Sequence, residues 1–300
     1  MSYNGIIPPV ITPLSDRDTL DIDGLERLIE HMISGGVHGL FVLGTSGEGP
    51  SLSYRLRGEV IQHTCRITHD RVPVFVGVTD TAFVESVRLS QVAADAGAQA
   101  TVLATPYYFP AGQTELTQYI NHLVPDLALP VMLYNMPSMT KLWFEQETLT
   151  TFTDLDRVIG IKDSSGDMDY FKQICALKSQ RPDWSILIGP EERMIESISL
   201  GSNGGVNGGA NIYPKLFVSA YEAALAGETQ RCSELQKTIT AFGEIYTVGR
   251  YSSRFIKAMK CAASIIGLCD DFMAEPFNRF YPEDREKVRT ILETLDIERP

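Results

Sequence analysis

No basic excess runs through these 300 residues: 26 Lys and Arg stand against 38 Asp and Glu, a formal net charge of -12. That balance argues against a nucleic-acid surface or a polybasic membrane patch. No apolar run approaches the roughly 18 residues of a membrane span. The opening stretch from Met1 to Leu14 lacks the basic region and apolar core of a signal peptide. The five cysteines, Cys65, Cys175, Cys232, Cys261 and Cys269, form no CxxC pair, so reduced thiols are expected rather than a disulfide framework. The five histidines, His31, His38, His63, His69 and His122, fall on expected helices or turns. Without an HExxH or a His/Cys/carboxylate cluster, no metal site is expected, and no cofactor. No GxGxxG follows the first apolar segment, which argues against an open dinucleotide-binding sheet. The expectation is a cytoplasmic protein acting on a small molecule, without nucleic-acid or membrane partners.

What is present is an alternation. The segment 5–13 is apolar and extended, because its prolines forbid a helix. Residues 21–34 then place Ile22, Leu25, Leu28, Ile29, Met32 and Ile33 at helical spacing and stop at Gly35 and Gly36. Short apolar runs at 39–44, 73–78, 100–105, 130–134, 158–162 and 185–188 read as strands, and the glycine-rich 204–209 as one more. Between and after them, helices are expected near 53–69, 82–96, 113–126, 145–152, 167–179, 191–200 and 214–226. Alternating βα units imply parallel strands with right-handed crossovers. About eight of them predict an α/β fold, a closed (β/α)₈ TIM barrel over residues 1–228. Residues 229–300 read as helical only, a C-terminal extension packed on the barrel. The 204–209 glycines suit either a phosphate site or a crowded strand; the absence of a basic neighbour favours crowding.

Active groups of such barrels sit at the C-terminal ends of strands. There the chain places Gly44-Thr45-Ser46-Gly47-Glu48, Thr105-Pro106-Tyr107-Tyr108, Tyr134-Asn135-Met136-Pro137, Lys162-Asp163-Ser164 and Gly189-Pro190-Glu191-Glu192. Taken singly, each has an ordinary reading. A strand-end lysine keeps its head in water. The glycine turn is structural, Tyr107 and Tyr108 are a core or interface pair, and Glu48, Glu191 and Glu192 are solvated or cap helices. Together they make chemical sense. If Lys162 faces the barrel interior, strand parity turns Gly160 and Val158 inward and Ile161 and Ile159 outward. A buried lysine has a lowered pKa and attacks carbonyls to form a Schiff base. Bringing it from near 10.4 to roughly 7–8 takes about 4 kcal/mol, within the reach of burial. Tyr134 would lie beside it at equal depth to shuttle protons, and the Gly44–Gly47 turn would offer donors to a substrate carboxylate.

These motifs, in this order, with Gly5-Ile6-Ile7-Pro8-Pro9-Val10 and Gly160-Ile161-Lys162-Asp163, resemble the dihydrodipicolinate synthase/N-acetylneuraminate lyase family of class I, pyruvate-handling barrels. The resemblance covers Gly5 to about residue 275. It implies that Lys162 forms the Schiff base with pyruvate or a pyruvate-derived 2-oxo acid and that Tyr134 is the general acid/base. It implies further that Thr45 links Tyr134 into a proton relay and that Tyr108 completes the relay from a neighbouring subunit. Thr45 and Ser46 would hold the substrate carboxylate, Gly189 and Val206 would line the pocket, and the assembly would be a homotetramer, a dimer of dimers. One departure bears on the second substrate. Synthases of the family carry an arginine where this chain has Met139, and methionine cannot make a bidentate contact to a carboxylate. Lys141, nearby, offers at most a displaced charge. The expected activity is therefore an aldolase or lyase, joining pyruvate to an aldehyde or cleaving a 2-keto-3-deoxy sugar acid. The alternatives are 4-hydroxy-tetrahydrodipicolinate synthesis from pyruvate and aspartate semialdehyde, or a non-catalytic pyruvate-binding relative.

Overall fold

The computed structural model describes residues 2–295, so residues 296–300 of the expected extension lie outside it. The chain opens with β1 (Gly5–Ile6), a small antiparallel hairpin of β2 (Leu14–Asp16) and β3 (Thr19–Leu20), and helix α1 (Ile22–Ser34). The βα alternation follows: β4 (Leu40–Val42), α2 (Tyr54–Thr68), β5 (Val74–Gly77), α3 (Phe83–Asp95), β6 (Ala100–Ala104), α4 (Gln113–Asp126) and β7 (Val131–Asn135). A short turn of helix, α5 (Pro137–Thr140), and α6 (Gln146–Thr151) precede β8 (Val158–Asp163). Then come α7 (Met168–Ala176), β9 (Ser185–Ile188), α8 (Met194–Ser199), β10 (Gly204–Gly205) and α9 (Pro214–Ala226). The chain continues through α10 (Thr229–Gly243), α11 (Arg254–Ile265) and α12 (Pro282–Thr294). Helix starts follow the local chemistry: Asp21 accepts from Gly24 N to cap α1, and Ser53 from Leu56 N to cap α2.

Eight strands form one parallel sheet in the order β1-β10-β9-β8-β7-β6-β5-β4. The sheet closes on itself just past β1, where Pro9 bridges Phe41 in parallel. Phe41 N donates to Pro8 O at 2.9 Å, and Val10 N donates to Phe41 O at 2.8 Å. Pro8 and Pro9 have no N–H, so this seam rests on the Pro8 carbonyl and the Val10 amide rather than on a regular ladder. The result is the (β/α)₈ barrel. Its interior is filled by side chains such as Ile7, Phe41, Phe75, Met132 and Leu187, and a larger apolar shell joins the outer strand faces to the helices.

The parity expected for β8 holds only in its upper half. Lys162 faces inward, beside the rings of Tyr134 and Phe41, and Ile161 packs in the outer shell. Below them the register skips a residue: Val131 pairs with Val158, but Met132 pairs with Gly160. Ile159 is the extra residue of this bulge, so it packs on the interior cluster while Val158 turns outward, the reverse of simple alternation. Gly160 takes up the bend with a φ of +147°, and a Cβ there would lie 2.0 Å from Ser185 O. Crowding likewise accounts for the 204–209 glycines: a Cβ at Gly204 would lie 2.0 Å from Gly5 O.

Candidate active site

Lys162 pairs in register with Tyr134 of the neighbouring strand, which puts both side chains at the same depth in the barrel mouth. Lys162 Nζ lies 4.0 Å from the centroid of the Tyr134 ring and 5.1 Å from that of Phe41. The lysine is 4% exposed. Burial lowers its pKa, and the opposing pull of Tyr134 and Asp163 does not restore it. The phenol is depressed too. Burial pushes Tyr134 up, but the Lys162 ammonium and the hydroxyls of Thr45 and Ser164 more than offset that. Thr45 Oγ1 is 3.4 Å from Tyr134 Oη. An amine and a phenol held together in this way exchange a proton at little cost, since their ordinary values, about 10.4 and 10, already lie close.

Thr45 and Ser46 ride on a tight loop after β4. Leu43 and Glu48, at either side of it, both have left-handed backbone, with φ of 59° and 55°. Thr12 Oγ1 donates to Gly47 O at 2.7 Å and pins the loop from the first segment. The ends of β7 and β8 are locked by a buried network that the sequence motifs contained without revealing. Asn135 Nδ2 donates to Asp163 Oδ1 at 2.8 Å, Ser165 Oγ donates to Asp163 Oδ2 at 2.8 Å, and Phe144 N donates to Asn135 Oδ1 at 3.1 Å. Burial raises the Asp163 pKa against these hydrogen bonds.

Two glutamates expected at the surface are buried. Glu48 pairs with Lys260, both side chains fully enclosed. Glu191 accepts from Gly209 N at 2.7 Å, and burial pushes its carboxyl up to about 7. Glu192 is exposed, as expected.

Thr45, Ser46, Tyr134, Lys162, Gly189 and Val206 line one cavity of about 560 Å³. Its outer wall includes Met139, Glu191, Tyr246, Ser252 and Phe255. Lys162 is the one lysine or arginine among its described lining residues. Lys141 does not reach it: its Nζ donates to Ser138 O at 2.5 Å, turned back on its own helix. Tyr108 does not line the cavity either. It stands 83% exposed with a φ of 79°, its ring edge-on to Phe109 at 5.1 Å. Ser164 lies within the cavity wall and against Gly189, where a Cβ would fall 1.9 Å from its hydroxyl; the sequence carried no signal for that contact. Among the described residues no His, Cys, Asp and Glu side chains cluster to hold a metal, and no helix is long and apolar enough to cross a membrane.

The model of the dihydrodipicolinate synthetase family matches residues 2–295. Among curated proteins, the chain is 30% identical to a probable 2-dehydro-3-deoxy-D-pentonate aldolase, YjhH, of Escherichia coli K12, over 97% of this chain and 96% of that one. It is 27% identical to a 4-hydroxy-tetrahydrodipicolinate synthase of Methanospirillum hungatei, over 98% of this chain and all (100%) of that one. Among solved structures, dihydrodipicolinate synthase of Bacteroides thetaiotaomicron superposes with a TM-score of 0.95 at 50% identity, covering 98% of this chain and 99% of that one. YagE of Escherichia coli K12, solved in complex with pyruvate, superposes with a TM-score of 0.93 at 28% identity, covering 98% of each chain.

Proposed function

The chain belongs to the dihydrodipicolinate synthetase family of carbon–carbon lyases and aldolases, and we propose that within it this protein is a Schiff-base aldolase that cleaves or forms a 2-keto-3-deoxy sugar acid, with pyruvate as the keto-acid partner. The observation that carries the reading is Lys162 Nζ at 4.0 Å from the Tyr134 ring, in a cavity with no second lysine or arginine among its described lining residues. Lys162, its pKa lowered by burial, attacks the C2 carbonyl of the keto acid. Tyr134 protonates the carbinolamine oxygen, which leaves as water. In the cleavage direction the Tyr134 phenolate takes the C4 hydroxyl proton as the C3–C4 bond breaks. The electron pair of that bond passes to the iminium nitrogen as an enamine, and the aldehyde departs. Protonation at C3 and hydrolysis return pyruvate and the free amine. Thr45 relays the proton to and from Tyr134, and Tyr108 of a neighbouring copy completes the path. Thr45 and Ser46 hold the carboxylate, while Gly189 and Val206 leave room for the keto acid.

The outer wall supports the sugar-acid reading. Met139 lines that wall at the position where the resembling synthases carry an arginine, and Lys141 is turned away. The other polar groups there include the carboxyls of Glu191 and Glu192 and the hydroxyls of Ser51, Ser252, Ser253 and Tyr246, hydrogen-bonding partners that suit a neutral, hydroxylated aldehyde better than a second carboxylate. The second reading, 4-hydroxy-tetrahydrodipicolinate synthesis, draws its support from the name of the 50% identical Bacteroides protein. Assembly as a homotetramer and residence in the cytoplasm complete the proposal; the exposed Tyr108–Phe109 pair supports the first and five free cysteines the second.

Borohydride trapping tests the imine. After reduction with pyruvate the expected product is a secondary amine on the Lys162 peptide, absent in Lys162→Ala. Failure to trap either pyruvate or a 2-keto-3-deoxy acid overturns the Schiff base. Turnover of a 2-keto-3-deoxy acid, with none from pyruvate plus aspartate semialdehyde, selects the aldolase; the opposite result selects the synthase.

A further inference from the structure

Glu48 and Lys260 make an ion pair with both side chains fully enclosed. Each end has a second bond. Glu48 Oε1 accepts from Ala274 N at 2.9 Å, and Lys260 Nζ donates to Phe272 O at 2.6 Å. As a source of stability such a pair is a poor choice, because apolar side chains of the same volume do as well or better. What it adds is direction, since its bonds fix where the two ends sit.

Those ends are informative. Glu48 closes the loop that carries Thr45 and Ser46, and Glu48 N donates to Thr45 O at 3.1 Å. This loop begins and ends in left-handed backbone at Leu43 and Glu48, a conformation that non-glycine residues keep only where the surroundings impose it. Lys260 lies on α11, whose first turn contributes Phe255 and Ile256 to the outer wall of the cavity. The segment it grips at Phe272 leads on to Phe277, in the same wall. One ion pair therefore ties the keto-acid end of the cavity to its aldehyde end.

We propose that Glu48 and Lys260 are positioning residues, holding the Thr45–Ser46 loop in register with the α11 and 272–277 wall so that both halves of the substrate are presented to Lys162 together. Both act through the loop and the wall that their bonds hold. This rests on the proposed placement of Thr45 and Ser46 against the substrate. The Lys162 adduct tests that placement's premise separately, so an intact adduct with undiminished turnover in the variants overturns the positioning role alone.

The test uses Glu48→Gln, Lys260→Met and the double variant in the full chain. Each single change strands a buried charge, and so lowers thermal stability whatever the role. The double change removes both charges. The expected result is that the double variant regains much of the stability but not the activity. Its kcat/KM per folded molecule should stay about 10- to 100-fold low, with a raised KM for the keto acid, as a misplaced loop would give. Undiminished kcat/KM in the folded double variant overturns the proposal. Hydrogen exchange on the unaltered protein gives a reading that needs no variant to fold. Pyruvate should slow exchange at the Ala274 amide together with Glu48 and Gly49. Exchange at Ala274 that pyruvate leaves unchanged overturns the proposal as well.

Discussion

In the proposed chemistry two side chains divide the work at the centre of this barrel, and each makes a separable prediction. Removing the amine with Lys162→Ala should abolish both turnover and trapping, because nothing else among the described lining residues of the cavity is a lysine. Tyr134→Phe keeps the ring packed against Lys162 Nζ and removes only the proposed proton carrier. It should lower kcat about 10²- to 10⁴-fold, the usual range for one general acid–base group, with pyruvate binding retained. A kcat within error of the unaltered enzyme would remove Tyr134 from the relay. Glu191 predicts a pH dependence of stability. Burial holds its folded pKa at about 7, above the ordinary glutamate value of 4.5. Below 4.5 the carboxyl is protonated in both states and its contribution is complete. Between 4.5 and 7 the unfolded chain releases the proton and the folded chain keeps it, so stability falls as pH rises. The loss approaches about 3 kcal/mol by pH 8. Glu191→Gln is free of this loss. Urea unfolding at several pH values should therefore show the variant gaining on the unaltered protein from pH 5 to 8. A difference that stays flat across that range would contradict the buried, protonated carboxyl.

At the scale of elements, the amphipathic and apolar periods were legible because each barrel element is short and punctuated. The α1 pattern over 21–34 matches a helix at Ile22–Ser34, capped by the Asp21 that precedes it. The register of Tyr134 with Lys162 follows from the two strand ends alone. The β8 bulge was not legible, because a bulge depends on which neighbour's hydrogen bonds are missed, and only Gly160 hints at it. Glu48 and Lys260 were invisible as a pair for a related reason: they meet only when α11 folds over the barrel mouth. Met139 was the reverse case, a single residue whose departure from the pattern of the resembling synthases motivated the proposed substrate. The bulge makes its own prediction. Gly160→Ala places a Cβ 2.0 Å from Ser185 O at a φ of +147°. It should destabilise the fold by at least about 2 kcal/mol, with Lys162 displaced as the strand shifts. Denaturant melts and the trapping rate measure both effects. Unaltered stability would mean that β8 runs without the bulge.

The whole molecule raises the question of what covers Tyr108. Its backbone is left-handed, at a φ of 79°, and its ring is 83% exposed beside an equally exposed Phe109. Two adjacent aromatic rings in water, on a backbone that bulky residues avoid, make little sense for an isolated chain. They make sense if the loop reaches across a two-fold interface to the cavity of a second copy, as the proposed relay requires. In a two-fold pair each site then combines its own Lys162 with the Tyr108 of the other copy. This arrangement predicts complementation. Lys162→Ala and Tyr108→Ala should each be nearly inactive as pure proteins. Unfolded together and refolded as a mixture, they form mixed pairs in which the Tyr108→Ala copy keeps its lysine and borrows an intact tyrosine. Random pairing of equal amounts should restore about a quarter of normal activity, since half of the pairs are mixed and each holds one complete site. Activity no higher than the sum of the two separate variants would place Tyr108 outside the partner's relay. It would also leave Tyr134 to draw its proton through Thr45 alone.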